Sequence, residues 1–343
     1  MLVLCLALLG ALTRTALART PSDPHPVSTS IDGLADYTHT MPFINLVKQS
    51  RIPGSARAPY DGNCTVDSAG WPTADFGLVL ITDDFSPPPP QGTGVLMEGV
   101  YTIAATGNAS LIFPDSCASL INCTYTPAVN RLLCYANVTA SGNFWVGFES
   151  TQRDPANPGA GAGLVDVLVL QPGYGLERAA DFTDPFLSLV SRFDSLRFMD
   201  WRNTNGNTEL VWADRTLPAR VSYAVSTGIP WEVVVQLANR VQRDLWINIP
   251  AMVDDDYIAQ LGALLAASVD PSLYIYYEYS NEVCVTPLSP SSQCTTLLLT
   301  PCTPSNPPLP PLQLELAVPS DTVLLPGSQC LCSGGRGPPA PEL

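Results

Sequence analysis

The residues best placed to do chemistry lie in one stretch, LYIYYEYSNEVCV, at 273–285. An aromatic, apolar run with strand character ends there in Asn281 and Glu282. A carboxyl held at the end of a strand is a candidate for proton transfer. Polar or aromatic groups stand at comparable places upstream: Gln171 after LVDVLVL (164–170), Asp200 and Trp201 at the end of SLRFMDW (195–201), and Asn248 within LWINIP (245–250). Arg197 and Trp246 lie inside the second and third of these runs. If the strands are parallel and close into a barrel, their C-terminal ends line one mouth, and chemistry sits there. Other chemistries lack their signatures. QPGYGLE after the first run has the wrong spacing for the glycine fingerprint of a nucleotide site. CLC at 330–332 lacks metal-ligand spacing, and the two histidines, His25 and His39, are isolated near the N-terminus. No metal and no cofactor is expected.

The elements that must position these groups follow from periodicity. After residue 163 the runs alternate: strand 164–170, helix 184–193, strand 195–201, helix 231–242, strand 245–250, helix 254–269, strand 273–282. Helix 254–269 carries Leu261, Leu264, Leu265 and Val269 on one face, and three aspartates at its start, where the helix dipole favours negative charge. Strands alternating with helices imply parallel βαβ units, and both a doubly wound sheet and a (β/α)8 barrel satisfy that order. Residues 34–155 read differently. FGLVLIT, GVYTIAAT, ASLIF, RLLCYANVTA and NFWVGFES are short β-rich runs separated by Gly, Pro, Asn and Asp, the pattern of a β-sandwich. SPPPPQG (86–92) must be a surface loop, since proline cannot donate to a strand ladder. DPANPGAGAG (154–163) is a linker or long loop and marks the expected boundary. From 284 to 343 the chain is a Pro/Ser/Cys-rich tract without periodicity, expected to be disordered.

Charge and cysteine usage bound the setting. With 31 acidic against 16 basic residues and a formal charge of −15, the chain lacks the basic footprint that nucleic-acid binding requires. Residues 1–18 join an apolar run to Ala16-Leu17-Ala18, which reads as a cleaved secretory signal peptide. The run is short for a bilayer span of roughly 20 residues, so no stable membrane insertion is expected after cleavage. Four glycosylation sequons, at Asn63, Asn108, Asn122 and Asn137, cluster in the β-rich segment. Cys64, Cys117, Cys123 and Cys134 form an even set in the same segment, suited to two disulfides in an oxidising compartment. Three pairings are open. Cys284, Cys294, Cys302, Cys330 and Cys332 stay unassigned. These signals agree on a secreted, extracellular or cell-wall glycoprotein.

An Asn-Glu pair ending the fourth strand resembles the retaining (β/α)8-barrel glycoside hydrolases, whose acid/base glutamate follows an asparagine at that place. The series RFMDW…WINIP…EYSNEV, preceded by GWP…GVYTI, also looks like a secreted, cellulose-associated or glycosidase-like subgroup with an N-terminal β-sandwich. The resemblance covers residues 35–283. It implies that Glu282 protonates the glycosidic oxygen and then activates water. It also implies that Asn281 binds a sugar 2-hydroxyl, that Arg197 sits beneath the nucleophile, and that Trp201 and Trp246 stack on sugar rings. Arg197 has the alternative of pairing with an interior acid, and Trp246 that of serving as core; Asp200 is a mouth residue. The chain departs from the pattern at Ala251, where relatives carry His, and at Cys284-Val285, where they carry Trp-Asn. A retaining enzyme needs a second carboxylate about 5–5.5 Å from the first, and the clan takes it from the seventh strand. The expected architecture is therefore a signal peptide (1–18), a β-sandwich (34–155), the first half of a TIM-type α/β barrel with strands 1–4 (164–283), and a Pro-rich tail (284–343). The abrupt break after Glu282 reads as the point where the coding frame leaves the family. The expected function is that of a glycoside hydrolase-like protein acting on a polysaccharide or oligosaccharide, inactive as written. The alternative is a non-catalytic carbohydrate-binding or wall-associated glycoprotein.

Overall fold

The computed structural model describes residues 27–82, 98–139 and 142–281. Its strands are β1 (Ser28–Ser30), β2 (Phe76–Ile81), β3 (Gly99–Thr106), β4 (Asn108–Ile112), β5 (Ala118–Thr126), β6 (Arg131–Val138), β7 (Phe144–Gln152), β8 (Val165–Leu170), β9 (Ser195–Arg197), β10 (Asp244–Ile249) and β11 (Ile275–Tyr279). Its α-helices are α1 (Asp184–Val190), α2 (Trp231–Val241) and α3 (Asp255–Ser268). The strands form three sheets, in the orders β2-β7-β4, β5-β6-β3-β8 and β1-β9-β10-β11.

The first two sheets are antiparallel. Period-two patterning builds them: along β6, Leu132, Cys134, Ala136 and Val138 are buried while Arg131, Leu133, Tyr135 and Asn137 are partly exposed. Both sheets bury side chains in one apolar cluster that includes Phe76, Leu78, Tyr101, Ile103, Phe144, Phe148, Val167 and Val169. The chain crosses from one sheet to the other between β3 and β4 at a single residue, Gly107. Its φ of +111° suits only glycine, and a Cβ there would lie 2.6 Å from the Gln152 carbonyl oxygen. A disulfide joins Cys123 of β5 to Cys134 of β6, which the register sets directly opposite one another. Cys64 and Cys117 are not joined to each other.

The third sheet is parallel throughout. Its helices start where local chemistry allows. Thr183 caps α1 by accepting from the Phe186 N–H at 3.4 Å, and Asp254 caps α3 by accepting from the Tyr257 N–H at 2.7 Å. On α3 the buried side chains are Tyr257, Leu261 and Leu265. They join Leu245, Ile247 and Ile249 of β10 and Trp231, Val234 and Leu237 of α2 in a second core cluster.

The run at 164–170, expected to open the parallel set, forms a strand in a different place. As β8 it pairs antiparallel with β3, with Ile103 opposite Val169. An apolar run states that both faces are covered and leaves the partner unspecified. The strand beside β9 in the parallel sheet is β1, the polar triplet Ser28-Thr29-Ser30. The segment 154–163 is a loop between β7 and β8 rather than a free linker. The Arg153 N–H donates to the Gly161 carbonyl at 3.0 Å, and the Gly163 N–H to Thr151 Oγ1 at 2.9 Å.

Candidate functional site at the C-terminal ends of the parallel strands

Three neighbouring parallel strands each supply one side chain to a polar cluster. Arg197 closes β9, Trp246 lies opposite it on β10, and Glu278 lies on β11 opposite Asn248. The Glu278 side chain is 5% exposed and the Arg197 side chain 18%. The pair is bidentate: Arg197 Nη2 donates to Oε2 at 2.8 Å and Oε1 at 2.9 Å, and Nε to Oε2 at 3.0 Å. Trp246 Nε1 donates to the same Oε2 at 2.9 Å, and the guanidinium stands 5.3 Å from the indole centroid. A planar guanidinium fork and an indole N–H thus stand where water would otherwise solvate this buried carboxylate.

The cluster continues beyond the strand. Ser280 adopts φ +58°, which turns the chain out of β11. Its N–H donates to the Ile249 carbonyl at 2.8 Å and its carbonyl accepts from Asn248 Nδ2 at 2.8 Å. Asn281 is thereby set against Arg197, whose Nη2 donates to Asn281 Oδ1 at 2.8 Å. Asn281 Nδ2 donates in turn to Asn205 Oδ1 at 3.0 Å. Both ends of the Asn281 amide are thus oriented, and the second hydrogen on Nδ2 is left to donate elsewhere.

A groove of about 340 Å³ lies alongside, at the ends of β1 and β9. Gly33, Asp200, Trp201, Asn203, Tyr223 and Ser226 are among its lining residues. Partial desolvation beside the groove, and then the charge of Asp32, push the Asp200 carboxyl above its ordinary pKa, while Arg197 opposes the shift. Beneath the groove the loop after β9 is anchored by a buried network. Arg202 and Glu209 pair at 2.6 Å with both side chains fully buried. Tyr257 donates to Glu209 at 2.5 Å and accepts from Trp231 Nε1 at 2.7 Å.

The structure brings together three of the sequence-predicted residues, Arg197, Trp246 and Asn281, and adds two that the sequence reading passed over, Glu278 and Asn205. A signal for Glu278 existed: one acid inside the aromatic strand YIYYEY calls for a cation. Asp200 is exposed at the groove. Trp201 takes no surface platform position. It is 1% exposed and stacks among Phe43, Phe182 and Phe186. Glu282 lies outside the described residues. Of the sequon asparagines, Asn63 and Asn122 are exposed and Asn108 and Asn137 half-buried. Among the described residues no group of three His, Cys, Asp or Glu side chains is arranged to hold a metal ion, and no helix is long and apolar enough to cross a membrane. The chain matches no protein family, no curated protein and no solved structure with which it was compared.

Proposed function

We propose that this chain is a secreted, glycoside hydrolase-like protein that takes a polysaccharide or oligosaccharide across the C-terminal edge of its parallel sheet. In this reading the sheet is the first part of a barrel and the antiparallel sheets are an accessory sandwich. The observation that carries it is the Asn281 amide, oriented by Arg197 and Asn205 at a strand end and followed in sequence by Glu282. An amide oriented in this way is suited to a sugar hydroxyl, and a carboxyl beside it to the glycosidic oxygen. Oxidised Cys123 and Cys134 fit an extracellular location.

One observation favours the second reading, a carbohydrate-binding glycoprotein without catalysis. Glu278, the carboxylate inside the cluster, has its charge taken up by Arg197 and Trp246. Its two oxygens are already occupied by these donors, so the cluster by itself offers a ligand the hydrogen bonds of Asn281 and no free carboxylate. The deciding experiment uses the full chain and its Glu282→Gln variant, with oligosaccharide binding followed by calorimetry and bond cleavage by reducing-end release. Release by the parent that disappears in the variant establishes the hydrolase. Without release, as expected of a chain inactive as written, binding that weakens in the Glu282→Gln variant supports the hydrolase-like reading, binding unchanged by the substitution supports the binding protein, and failure to bind any glycan defeats both readings.

A further inference from the structure

Strand β5 is an open edge. It stands outermost in the order β5-β6-β3-β8, and among the described residues its far side meets no other strand. Residues 119–124 are all exposed, Leu120 at 44% and Ile121 at 53%. Sheet edges are ordinarily blunted by lysine, proline or an inward-pointing charge. Ala118–Thr126 contains no charged residue and no proline, and its one irregularity is a register slip between Leu120 and Asn122. An uncharged edge with exposed apolar side chains is a template for pairing with another chain. The same strand carries the sequon Asn122-Cys123-Thr124, with Asn122 the middle residue of the nine. Asn122 lies opposite Tyr135, on the sheet face turned away from the core, since Cys134 and Ala136 on either side of Tyr135 are buried. The other sequons are placed differently. Asn108 and Asn137 are half-buried, Asn137 in a strand flanked on both sides, and Asn63 is exposed in a loop.

We propose that an N-linked glycan on Asn122 covers this edge and keeps the chain monomeric, and that without it β5 pairs antiparallel with β5 of a second copy. The inference rests on the secreted reading above and gives one sequon a structural task. The modification joins Asn122 Nδ2 to the anomeric carbon of an oligosaccharide supplied as a lipid-linked diphosphate. The carbon–oxygen bond to the diphosphate breaks, the lipid diphosphate leaves with the electron pair, and Nδ2 gives up one proton. The attached glycan is bulky and strongly solvated. Rooted at the centre of the edge and next to Ile121, it fills the space that an incoming strand needs. Bare β5 strands can meet about a two-fold axis, which makes the contact self-complementary and brings Leu120 and Ile121 of both copies into it.

The test expresses the full chain in a eukaryotic secreting host, maps its glycopeptides by mass spectrometry and measures its mass in solution by sedimentation. Three variants are compared with it: Asn122→Gln, Asn63→Gln, and Asn122→Gln combined with Ile121→Lys. The parent should carry glycan on Asn122 and sediment as a monomer. Asn122→Gln should raise the weight-average protein mass at least about twofold, while Asn63→Gln leaves it unchanged. Adding Ile121→Lys should restore the monomer, because paired edges would then bring two lysines together. That rescue separates edge pairing from misfolding, which a lysine at an exposed position would not repair. A bare Asn122 in secreted protein overturns the inference and leaves the secreted reading intact. So does an Asn122→Gln variant that stays monomeric, or one whose association the lysine does not reverse. If the chain never reaches the medium, the secreted reading falls and the inference with it.

Discussion

Removing either member of the Arg197–Glu278 pair leaves its partner without a counter-charge where water reaches poorly. Because Arg197 keeps some solvent contact, Glu278→Gln and Arg197→Met should each cost about 2–3 kcal/mol, below the full penalty for a buried ion pair. The double variant should cost less than the sum, because it strands no charge. Chemical denaturation of all four proteins checks this, and additive losses would show that the two groups do not act as a pair. Lys48 gives a pH signature of opposite kind. Burial lowers its pKa from 10.5 to about 8, against a smaller opposing pull from Asp166. Between pH 8 and 10.5 the unfolded chain holds a proton that the folded chain has lost, so this residue makes stability rise with pH across that window. The denaturation midpoint of the parent should climb relative to Lys48→Met from pH 8 to pH 10, and parallel curves would refute the shift. Single residues are also where sequence legibility was uneven. Asn281 announced itself by type and position; Arg197 was singled out only by the family resemblance, and its pairing with an interior acid was the alternative to that role. Glu278 was hidden among tyrosines, because its meaning depends on a cation 81 residues away.

At the scale of elements, glycine separates what backbone conformation requires from what it only tolerates. Gly107→Ala must force a positive φ and drive a Cβ to 2.6 Å from the Gln152 carbonyl oxygen at the crossing between the two antiparallel sheets. It should lower stability by about 1–3 kcal/mol. Gly262 lies inside α3 with nothing within 4 Å of an added Cβ, so Gly262→Ala should raise stability by about 0.5–1 kcal/mol. Thermal melts of the two variants should move in opposite directions, and a shared sign would mean that these positions are misread. Periodicity made the location of most elements legible: α3, β3, β6 and β10 fall close to the runs that suggested them. It could not make pairing legible. The apolar run at 165–170 joins β3 because its inward residues Val167 and Val169 complete the antiparallel core. The parallel sheet is extended instead by Ser28–Ser30, three polar residues that no hydrophobic pattern marks as a strand.

At the scale of the molecule, the antiparallel and parallel parts have separate core clusters, yet residues 41–50 tie them together. On one side Asn45 Oδ1 accepts from the Val169 N–H at 3.0 Å and the Ile44 carbonyl from the Gln171 N–H at 3.0 Å. On the other, Phe43 stacks 5.9 Å from Trp201 and meets Tyr223 edge-on at 5.7 Å, and the Lys48 carbonyl accepts from the Tyr223 N–H at 2.8 Å. Two cores joined through buried bonds and rings should unfold as one, because opening either exposes the connecting segment of both. The tryptophans report on both parts: Trp71 belongs to the antiparallel core, Trp201 and Trp231 to the other. Fluorescence and far-ultraviolet dichroism of the parent should therefore trace one coincident transition. Phe43→Ala removes the ring that fixes this segment in the parallel part's core and should cost about 3–5 kcal/mol, and in combination with Asn45→Ala it should split the transition in two. Two transitions in the parent would show that residues 41–50 transmit nothing. The consequence reaches the site, since Trp201 is both the ring against which Phe43 stacks and part of the wall of the groove at Asp200. Loosening the seam should weaken any ligand held there without altering a residue that touches it.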